Sequence, residues 1–501
     1  MKLITADQIK ELDQYTIAHE PISSVQLMER AATACTAFIL NHFPDSSFCI
    51  IAGTGNNAGD GLAIARLLDV SGLKTEVILT GNPLEGSADF KTNLERLKLR
   101  PLIEVHLFKS IDDIVLKQGR VIVDCLFGTG IKKAIEGPTA QLIKAVNNCG
   151  SKIISIDVPS GLPADLKTEM LGSAIVKADI TLSFHIPKIS FLFEPFARFI
   201  GQLHVLDIGL NKAFHSNLPS DLHFNLHEEM KDLYRKRDRF SHKSSFGHGL
   251  LVAGSKGKIG AAVLSASAFL RSGAGLITAH IPACGYDIMQ TTVPEAMCIA
   301  DSKDELVSEI VSSNCDVIVA GPGLGTADRT AKALEELIKE SNVPLVLDAD
   351  ALNLLALNSA WWNELKNREL ILTPHPGEFE RLFQCGKDAI HQFEVLKQKA
   401  IEYSCIIVLK GAFTRIAMPN GEVYFNSSGN SGMSTAGSGD VLSGIIAGLM
   451  CSGYSSKEAA LLGVYLHGLS GDIYAAQESQ ESLTAGDLIK KMGAAWRRIS
   501  A

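Results

Sequence analysis

The sequence predicts two doubly wound α/β domains that follow one another along the chain. Short apolar runs of strand length alternate with helical patterns, and a polar or glycine-rich loop follows nearly every run. This alternation breaks down once, in a polar and charged segment from about residue 211 to residue 248, which we interpret as a linker. A chain of 501 residues is long enough for two or more domains. We therefore predict one domain over residues 1–218 and a second over residues 224–501.

The composition narrows the classes of function. Hydrophobic residues make up 46% of the chain and charged residues 20%, which is typical of a globular protein. The formal net charge of −8 argues against a general nucleic-acid binder, and no apolar run reads as a signal peptide or a membrane span. The ten cysteines include no C-x-x-C pair, which argues against a zinc site or a disulfide framework. We expect a cytoplasmic protein without nucleic-acid or membrane partners.

The first glycine-rich turn follows the first predicted strand. Thr5 and Gln8 predict a capping box for an initial helix, a second helix follows, and strand, turn and helix are then predicted over FCIIAGTGNNAGDGLAIARLL. The turn satisfies a loose dinucleotide-binding fingerprint, but the next strand, TEVILTG, ends without an acid to bind a ribose. This argues against an ordinary NAD-binding Rossmann site. Asn56, Asn57 and Asp60 are more polar than a tight turn requires, so we favour a ligand-binding turn over a structural one.

Two further strands of the first domain end in a carboxylate. Asp124 ends the apolar run in RVIVDCLFGTG, and Asp157 ends that in KIISIDVPSG, where Ser160 and Gly161 follow; the last strand is predicted in QLHVLDIGL. Because loops at the carboxyl ends of parallel strands share one crevice, these polar side chains could converge with Asn57. Their oxygens suit a hard cation, an acid–base pair, or both. The alternative is that each aspartate only caps a following helix.

The second domain repeats the pattern of strand and polar loop. Glycine loops follow the strands in GLLVAGSKG and DVIVAGPGLGT, whereas Asp348 and Asp350 follow the strand in VPLVLDADALNLL. His375 and Glu378 follow the strand in LILTPHPGEFERL, and we favour a substrate contact for His375 over a structural role. A hairpin with an Asn-Gly turn comes next. The chain has no G-x-x-x-x-G-K-[ST] motif, so a Walker loop does not hold any nucleotide here.

The second domain is most easily interpreted around one stretch, GNSGMSTAGSGDVLSG, from Gly429 to Gly444. It is a glycine-rich turn that leads directly into the apolar run from Val441 to Met450, which predicts a helix. Such a helix start presents unpaired N–H groups and a positive dipole end, which together form an anion site. Asp440 at this junction could accept a proton or hold a metal. The alternative is that it only N-caps the helix.

These motifs together resemble a known pair of families. The second domain resembles the NAD(P)H-hydrate dehydratase family, a branch of the ribokinase-like fold, in GPGLG, LDADALN, TPHPGE, KGAFT and TAGSGD. The first domain resembles the NAD(P)H-hydrate epimerases, or YjeF N-terminal domains, which are Rossmann-like and three-layered, in NNAGDG, DCLFGTG and DVPSG. In this order the two resemble the bifunctional NAD(P)H-hydrate repair family. The family's GAGD signature is GSGD here, which keeps Asp440.

The resemblance implies metabolite repair of hydrated NADH and NADPH. The first domain would interconvert the R and S hydrates, and the second would dehydrate the S hydrate at the expense of ADP, forming AMP and phosphate. ADP is implied for bacterial enzymes and ATP for eukaryotic ones. We expect Mg²⁺ in the second domain from its phosphate chemistry, and the resemblance implies K⁺ in the first. The expected partners are these small molecules, and we expect a homo-oligomer.

The resemblance also assigns roles to residues. Asp440 would accept the proton of the ring hydroxyl, and Asp157 would lie near the carbon that changes configuration. The dinucleotide would be held by Asn56, Asn57, Ala58, Gly59, Asp60, Gly128, Thr129, Gly130, Ile131, Lys132, Lys133, Ala134 and Asp157. In the second domain the hydrate would contact Ala262, Gly323, His375 and Asp440. The nucleotide would be held there by Lys410, Gly411, Ala412, Phe413, Thr414, Asn430, Ser431, Gly432, Met433, Ser434, Thr435, Ala436, Gly437, Ser438 and Gly439.

Asn57, Asp124 and Ser160 would ligate the K⁺ ion of the first domain. They offer one formal negative charge and neutral oxygens, which is too little for a tight Mg²⁺ or Ca²⁺ site. A large monovalent cation suits that set better.

Two other functions remain open. The second domain could be a ribokinase-like kinase for a small molecule, and the first could be a non-catalytic nucleotide-binding module. The TPHPGE motif and the N-terminal partner argue against the kinase, and the intact Asp60, Asp124 and Asp157 argue against a non-catalytic module. The sequence leaves open the preference between the NADH and NADPH hydrates and the choice between ADP and ATP.

Overall fold

The computed structural model describes residues 1–501 except 132, 168, 170, 171, 173, 312, 313 and 367. The chain divides into two compact units, Lys2–Ser220 and Asp221–Ala501, the second of which includes Met1. The division between residues 220 and 221 falls within the interval from residue 218 to residue 224, where we predicted the boundary. Among the described residues, no helix has both the length and the apolar character that crossing a membrane requires.

The segment that we predicted to be a linker is folded. It contains a helix at Lys212–Asn217, a strand at Leu222–Phe224 and a helix at His227–Asp232. The strand has only three residues and pairs with the distant strand Val423–Phe425, so no local sequence pattern predicts it. A domain that begins at residue 224 would lose two of these three residues.

The N-terminal unit is a parallel sheet of seven strands with helices on both faces. The strands are β1 (Phe48–Ala52), β2 (Thr75–Thr80), β3 (Glu104–Phe108), β4 (Val121–Cys125), β5 (Ile153–Ile156), β6 (Ile180–Phe184) and β7 (Gln202–Leu206). The helices are α1 (Ala6–His19), α2 (Ser24–His42), α3 (Asn56–Val70), α4 (Ala88–Lys98), α5 (Gly137–Asn148), α6 (Glu194–Ala197) and α7 (Lys212–Asn217). Alternate residues of β1 enter two separate cores: Phe48 and Ile50 pack with α2 and α3, whereas Cys49 and Ile51 pack with α5.

The strand order of this sheet is β3-β2-β1-β4-β5-β6-β7, and it reverses between β1 and β4. The chain moves outward from β1 to β3 and then returns to place β4 on the other side of β1. The loops after β1 and β4 therefore diverge and leave a crevice at the carboxyl ends of the strands, where ligands usually bind. This is the crevice to which the sequence assigned the polar loops.

The C-terminal unit is a ten-stranded mixed sheet surrounded by helices. The strands are β8 (Leu222–Phe224), β9 (His248–Val252), β10 (Leu276–Ile281), β11 (Met297–Ala300), β12 (Val317–Ala320), β13 (Leu345–Leu347), β14 (Leu370–Leu372), β15 (Ile406–Leu409), β16 (Arg415–Ala417) and β17 (Val423–Phe425). The helices are α8 (His227–Asp232), α9 (Ile259–Arg271), α10 (Tyr286–Thr292), α11 (Asp328–Glu340), α12 (Ala349–Leu357), α13 (Trp362–Leu365), α14 (Pro376–Phe383), α15 (Ala389–Glu402), α16 (Ser438–Cys451), α17 (Ser456–Gln477) and α18 (Ala485–Ser500).

The order of this second sheet is β11-β10-β9-β12-β13-β14-β15-β16-β17-β8. The pairs from β11 to β15 are parallel, β16 is antiparallel to both of its neighbours, and β17 and β8 are parallel. The hairpin predicted at the Asn-Gly turn is therefore confirmed as β16 and β17. The order reverses between β9 and β12, which gives this sheet its own crevice. Both units are α/β, as the sequence predicted.

Small residues set the position of α16, the helix predicted after the glycine-rich turn. A Cβ atom on Gly444 would overlap the carbonyl oxygen of Ser265, and one on Gly448 would overlap that of Phe269, both on α9. The two helices can therefore approach backbone to backbone, because glycine has no side chain at these points. Gly437 precedes α16 with a φ of 86°, a left-handed conformation that glycine adopts without strain. Glycines thus allow both the close packing of α16 on α9 and the sharp turn that leads into it.

We predict that the two units fold independently, because each has its own sheet and its own buried core. Fragments 1–220 and 221–501 should each give one cooperative thermal transition, measured by circular dichroism. A matched fragment that starts at residue 225 lacks β8 and exposes the edge of β17, so it should unfold at a lower temperature. Two fragments without cooperative transitions would contradict this division of the chain.

Candidate active sites

The crevice of the N-terminal unit contains a cavity of about 880 Å³ at the ends of β1, β4 and β5. Ala58 and Gly59 do not line it, because they lie on the buried side of α3, where Gly59 packs against Met28. Lys132 lies outside the described residues. The other residues predicted to bind the dinucleotide all line the cavity: Asn56, Asn57, Asp60, Gly128, Thr129, Gly130, Ile131, Lys133, Ala134 and Asp157.

Asp124 is 1% exposed and joins the loops at this end of the sheet. Its Oδ1 accepts hydrogen bonds from Ser160 Oγ (2.5 Å) and Leu126 N (3.3 Å), and its Oδ2 accepts from Ser155 Oγ (2.7 Å) and Ser160 N (2.8 Å). Burial raises the pKa of Asp124, and the hydrogen bonds from Ser160 and Ser155 oppose that rise. Four donors fill the acceptor capacity of a carboxylate. Asp124 therefore ties the loop after β5 to the end of β4.

Asn57 and Ser160 meet at the backbone of Phe127. Asn57 Nδ2 donates to the carbonyl oxygens of Phe127 (2.8 Å) and Ile156 (3.1 Å), and Phe127 N donates to Ser160 Oγ (2.9 Å). Asn57 Oδ1 is buried and has no hydrogen-bond partner in the described part of the chain. The three predicted cation ligands thus form one network, in which Asn57 contributes a buried oxygen that is still free to bind a ligand.

Asp157 reaches the cavity from a strained backbone position. Its φ of 64° lies in the left-handed region, where a non-glycine residue is uncommon and strained. Its Oδ1 forms an ion pair with Lys188 Nζ (2.7 Å) and accepts a hydrogen bond from Phe184 N (3.3 Å). Lys188 is 1% exposed, and a buried ammonium group requires such a partner. The pair therefore fixes the Asp157 carboxylate at the cavity wall.

The capping alternative for Asp124 and Asp157 is wrong. The helix that follows β4 is α5, whose N-cap is Glu136, and neither aspartate is the N-cap of a helix in the described part of the chain. Both carboxylates are therefore free for the network and the ion pair described above.

The side chains that line this cavity and that the sequence did not identify include Asp13 on α1, and His185 and Lys188 after β6. Burial and, to a smaller extent, the negative charge of Asp157 raise the pKa of Asp13 to about 7, against the opposing charge of Lys188. Burial also lowers the pKa of His185 to about 4, and His185 Nε2 lies 3.0 Å from His215 Nδ1. The cavity therefore holds a cluster of carboxyl groups with one buried lysine.

The crevice of the C-terminal unit contains a second cavity, of about 770 Å³. Three residues of the predicted nucleotide site, Gly432, Thr435 and Ala436, belong to its glycine-rich loop but do not line it. Of the residues predicted in this domain, the following line the cavity: His375, Lys410, Gly411, Ala412, Phe413, Thr414, Asn430, Ser431, Met433, Ser434, Gly437, Ser438, Gly439 and Asp440.

Ala262 and Gly323, predicted to contact the hydrate, do not line this cavity. Ala262 is fully buried on α9, and Gly323, with a φ of 60°, packs against the backbone of Lys258. Both belong to the region where the strand order reverses: Gly323 lies in the loop after β12, and Gly254 N in the loop after β9 donates to Pro322 O (2.8 Å). They shape the loops beside the cavity rather than its wall.

Asp440 lies in the first turn of α16 but does not cap it. The N-cap residue is Gly437, and no side chain makes a capping hydrogen bond there, so the capping alternative is wrong. Burial and, to a smaller extent, the negative charge of Asp348 raise the pKa of Asp440 to about 7, against the opposing charge of Lys410. A carboxylate with a pKa near 7 is well suited to accept a proton at that pH.

Lys410 connects two acidic residues beside this cavity, Asp348 and Glu378. Its Nζ lies 2.9 Å from Asp348 Oδ1 and 3.9 Å from Glu378 Oε2. Burial alone would lower the pKa of Lys410, but the two carboxylates raise it above its ordinary value. A Cβ atom on Gly439 would lie 3.1 Å from Lys410 Nζ, so glycine leaves the ammonium group room beside Asp440. Asp348 is 1% exposed, and its Oδ2 has no hydrogen-bond partner among the described residues.

His375 caps the start of α14 and thereby fixes its own protonation state. Its Nδ1 accepts hydrogen bonds from Gly377 N (2.9 Å) and Glu378 N (3.3 Å), while Glu378 Oε2 accepts from His375 N (2.8 Å). Burial lowers the pKa of His375, in keeping with a neutral ring whose Nδ1 is an acceptor. The remaining hydrogen is therefore on Nε2, which lies 3.5 Å from Glu378 Oε1. The structural role is compatible with the predicted substrate contact, since His375 also lines the cavity.

Two family models match the chain. The model described as NAD(P)H-hydrate dehydratase matches residues 249–493, and the model described as YjeF-related protein N-terminus matches residues 24–190. Each match falls inside one of the two units and includes the cavity-lining loops described above.

Curated relatives resemble the chain over almost its whole length. The bifunctional NAD(P)H-hydrate repair enzyme Nnr of Moorella thermoacetica is 37% identical, over 98% of this chain and 95% of its own. The enzymes of the same name from Coxiella burnetii and Thermofilum pendens are 36% and 34% identical, over 96% and 100% of this chain and 96% and 97% of their own. Both units are therefore present in these relatives.

A solved structure resembles the C-terminal unit. The ADP/ATP-dependent NAD(P)H-hydrate dehydratase of Bacillus subtilis, co-crystallised with ATP and Mg²⁺, is 30% identical with a TM-score of 0.50. The likeness covers 56% of this chain and all of that one.

Proposed function

This chain belongs to the family of bifunctional NAD(P)H-hydrate repair enzymes, and from this we propose a division of labour between its two cavities. The N-terminal unit interconverts the R and S hydrates of NADH and NADPH. The C-terminal unit dehydrates the S hydrate at the expense of ADP, and AMP and phosphate are formed. The observation that carries the second assignment is Asp440, a carboxylate with a pKa of about 7 in the first turn of a helix that opens from a glycine-rich loop.

The dehydration requires a better leaving group than hydroxide. In the proposed reaction Asp440 takes the proton of the ring hydroxyl as the hydroxyl oxygen attacks the terminal phosphoryl group of ADP. AMP leaves, and the phosphorylated hydrate then expels phosphate as a proton leaves the neighbouring carbon and the ring double bond re-forms. The backbone N–H groups at the start of α16 stabilise the charge on the transferring phosphoryl group.

The nucleotide lies against the glycine-rich loop and the segment from Lys410 to Thr414, which line the same cavity. Lys410 supplies a positive charge that acts on Asp440, and its pairing with Asp348 keeps it in place. His375 Nε2 faces the hydrate as a hydrogen-bond donor. The basis for these assignments is the position of each residue on the cavity wall together with the family resemblance.

The C-terminal cavity also fits a Mg²⁺ ion. Asp348 Oδ2 is a buried carboxylate oxygen without a hydrogen-bond partner among the described residues, and Mg²⁺ prefers carboxylate and phosphate oxygens. We assign Asp348 as the protein ligand that would hold the ion beside the nucleotide phosphates. A bound Mg²⁺ neutralises phosphate charge during transfer.

The N-terminal cavity fits a K⁺ ion through Asn57. Its buried Oδ1 lacks a partner in the described chain, and a neutral amide oxygen suits a large monovalent cation. Asp124 already accepts four hydrogen bonds, so its first contribution is to hold Ser160 and the loop after β5 near Asn57. A bound K⁺ supplies positive charge near the phosphates of the dinucleotide.

Epimerisation is expected to depend on potassium and not on a divalent ion. The measurement is the rate of epimer exchange in a potassium buffer and in a buffer with a bulky organic cation, each with and without a chelator. Exchange should be slower without potassium, since the loop that carries Asp157 loses its ion, and the chelator should have no effect. Exchange that ignores potassium but collapses with the chelator would assign a divalent ion to this site.

The overall function is tested with a mixture of the two hydrates and the full-length protein. With ADP present, the absorbance band of the reduced nicotinamide should return for both epimers, because the first unit feeds the second. Parallel reactions with ATP decide the phosphoryl donor. A stable phosphorylated product without return of the band would instead indicate the small-molecule kinase.

A further inference from the structure

Epimerisation of a hydrated nicotinamide by ring opening requires two proton transfers, at the oxygen and at the nitrogen bonded to one carbon. Water adds to an enamine double bond with hydroxide on the carbon next to the ring nitrogen, so that carbon is bonded to both oxygen and nitrogen. Its configuration can change only after one of those bonds breaks. Opening the ring needs a base to remove the hydroxyl proton and an acid to protonate the departing nitrogen. The family resemblance places Asp157 near this carbon but leaves its partner unassigned.

Asp13 is a carboxyl side chain in the cavity that is free to be this partner. It lines the same cavity as Asp157, but on α1, a different element from the loop after β5. It makes no hydrogen bond or ion pair with any described residue, whereas Asp157 is held by Lys188 at 2.7 Å. One carboxyl group is therefore paired with a buried ammonium, and the other faces the cavity without a counter-ion.

We propose that Asp13 is the general acid of the epimerisation, opposite Asp157 as the general base, and that Lys188 is the positioning residue for Asp157. This inference rests on the proposed function of the N-terminal unit. Pairs of carboxyl groups placed in different environments in this way divide acid and base roles between them.

The proposed step balances without any further reactant. Asp157 takes the hydroxyl proton, a carbonyl group forms, the carbon–nitrogen bond breaks, and its electron pair goes to the ring nitrogen, which receives the proton of Asp13. The open chain then rotates about the carbon–carbon bond next to the aldehyde and presents its other face. The nitrogen adds back as Asp157 returns a proton to oxygen and Asp13 recovers its own from nitrogen, so both groups end as they began.

The charged groups around Asp13 predict the pH dependence. Burial and the negative charge of Asp157 raise the pKa of Asp13 to about 7 against the opposing charge of Lys188, and Asp60 on α3 lines the same cavity. Since the acid must carry its proton, the exchange rate should fall as the pH rises through 7. Burial raises the pKa of Asp60 as well. It lowers the pKa of His185 to about 4, which is well below the pH range in which the exchange rate should fall. The other titratable residues that line the cavity are Lys10, Lys133 and Glu136.

The test measures the conversion of one purified NADH hydrate epimer into the other by the full-length protein. ADP is left out so that dehydration does not take place. The epimers are separated by chromatography and the uncatalysed rate is subtracted. Asp13→Asn should lower kcat by about 10²–10⁴-fold, with KM little changed, and should lose the alkaline limb of the pH profile. Asp13→Glu keeps a carboxyl group and should recover part of the rate together with the limb. Glu11→Gln removes an exposed carboxylate of the same helix and should change neither.

The outcomes separate the two hypotheses. Thermal unfolding is measured for each variant, and Asp13→Ser replaces Asp13→Asn if the amide does not fold. An Asp13→Asn variant, or Asp13→Ser in its place, that folds and keeps either the wild-type rate or the alkaline limb would overturn the role of Asp13 and leave the epimerase intact. A wild-type protein that exchanges the epimers no faster than buffer would instead overturn the proposed function of the unit.

Discussion

Replacement of Asp440 by asparagine is expected to lower the rate of dehydration by about 10²–10⁴-fold while ADP still binds. The amide has the same size, so the cavity and the start of α16 keep their shape, but it cannot accept the hydroxyl proton. Turnover is measured as the return of the reduced-nicotinamide band from purified S hydrate, and ADP binding by calorimetry. In the wild type, kcat/KM should fall as the pH falls through 7, because burial and Asp348 raise the pKa of the base to about 7.

Asp328→Asn is the matched control for this substitution. Asp328 is also an aspartate in the first turn of a helix, α11, but it is exposed and does not line the cavity. Its replacement should leave turnover and the acid limb unchanged. If Asp440→Asn retained full turnover, the proton acceptor would have to be another group and the assignment of Asp440 would be wrong.

Replacement of Asp124 by alanine should abolish epimerisation and destabilise the N-terminal unit. The substitution leaves the backbone N–H groups of Leu126 and Ser160 without their acceptor, together with the hydroxyls of Ser155 and Ser160. An unsatisfied buried polar group costs roughly 1–3 kcal/mol, so the free energy of unfolding of this unit should fall by several kcal/mol. The loss is smaller to the extent that the two hydroxyl groups rotate and find other hydrogen-bond acceptors. Dehydration of purified S hydrate should continue at the wild-type rate, because distant sites usually behave independently.

Thermal unfolding and the two activity assays together test this expectation. Asp179→Ala is a suitable comparison: this carboxylate accepts a hydrogen bond from Ile153 N at the start of β5 and is partly exposed, away from the cavity. Water can replace its partner there, so the loss of stability should be smaller and exchange should persist. Loss of dehydration in Asp124→Ala would show instead that the two units are energetically coupled.

The two proposed reactions should respond to pH in opposite directions. Asp13 and Asp440 both have a pKa of about 7, and burial is the largest cause in each case. The proposed acid, Asp13, must be protonated, so epimerisation falls above 7. The proposed base, Asp440, must be ionised, so dehydration falls below 7. Repair of both hydrates requires both steps, and it should therefore be fastest near this common value.

Much of the fold and part of each site could be predicted because the signals were local. The buried strands are continuous apolar runs, and each predicted loop follows its strand directly in the sequence, as at Asp124 and Asp157. The glycine-rich turn before α16 likewise identified Asp440 and most of the second cavity's wall. Asp13 had only a weak signal, since it follows the buried Leu12 on the apolar side of an otherwise ordinary helix.

Tertiary structure alone decided which groups act on one another. The sequence by itself determined two α/β units and the loops that border their crevices, because hydrophobic periodicity and turn chemistry depend on neighbouring residues. It could not show that Lys188 pairs with Asp157 or that Lys410 pairs with Asp348, nor that β8 completes the second sheet. Burial and charge interactions depend on distances between segments that are far apart in the chain. That packing sets the pKa values of Asp13 and Asp440. The proposed roles of acid and base therefore also depend on it.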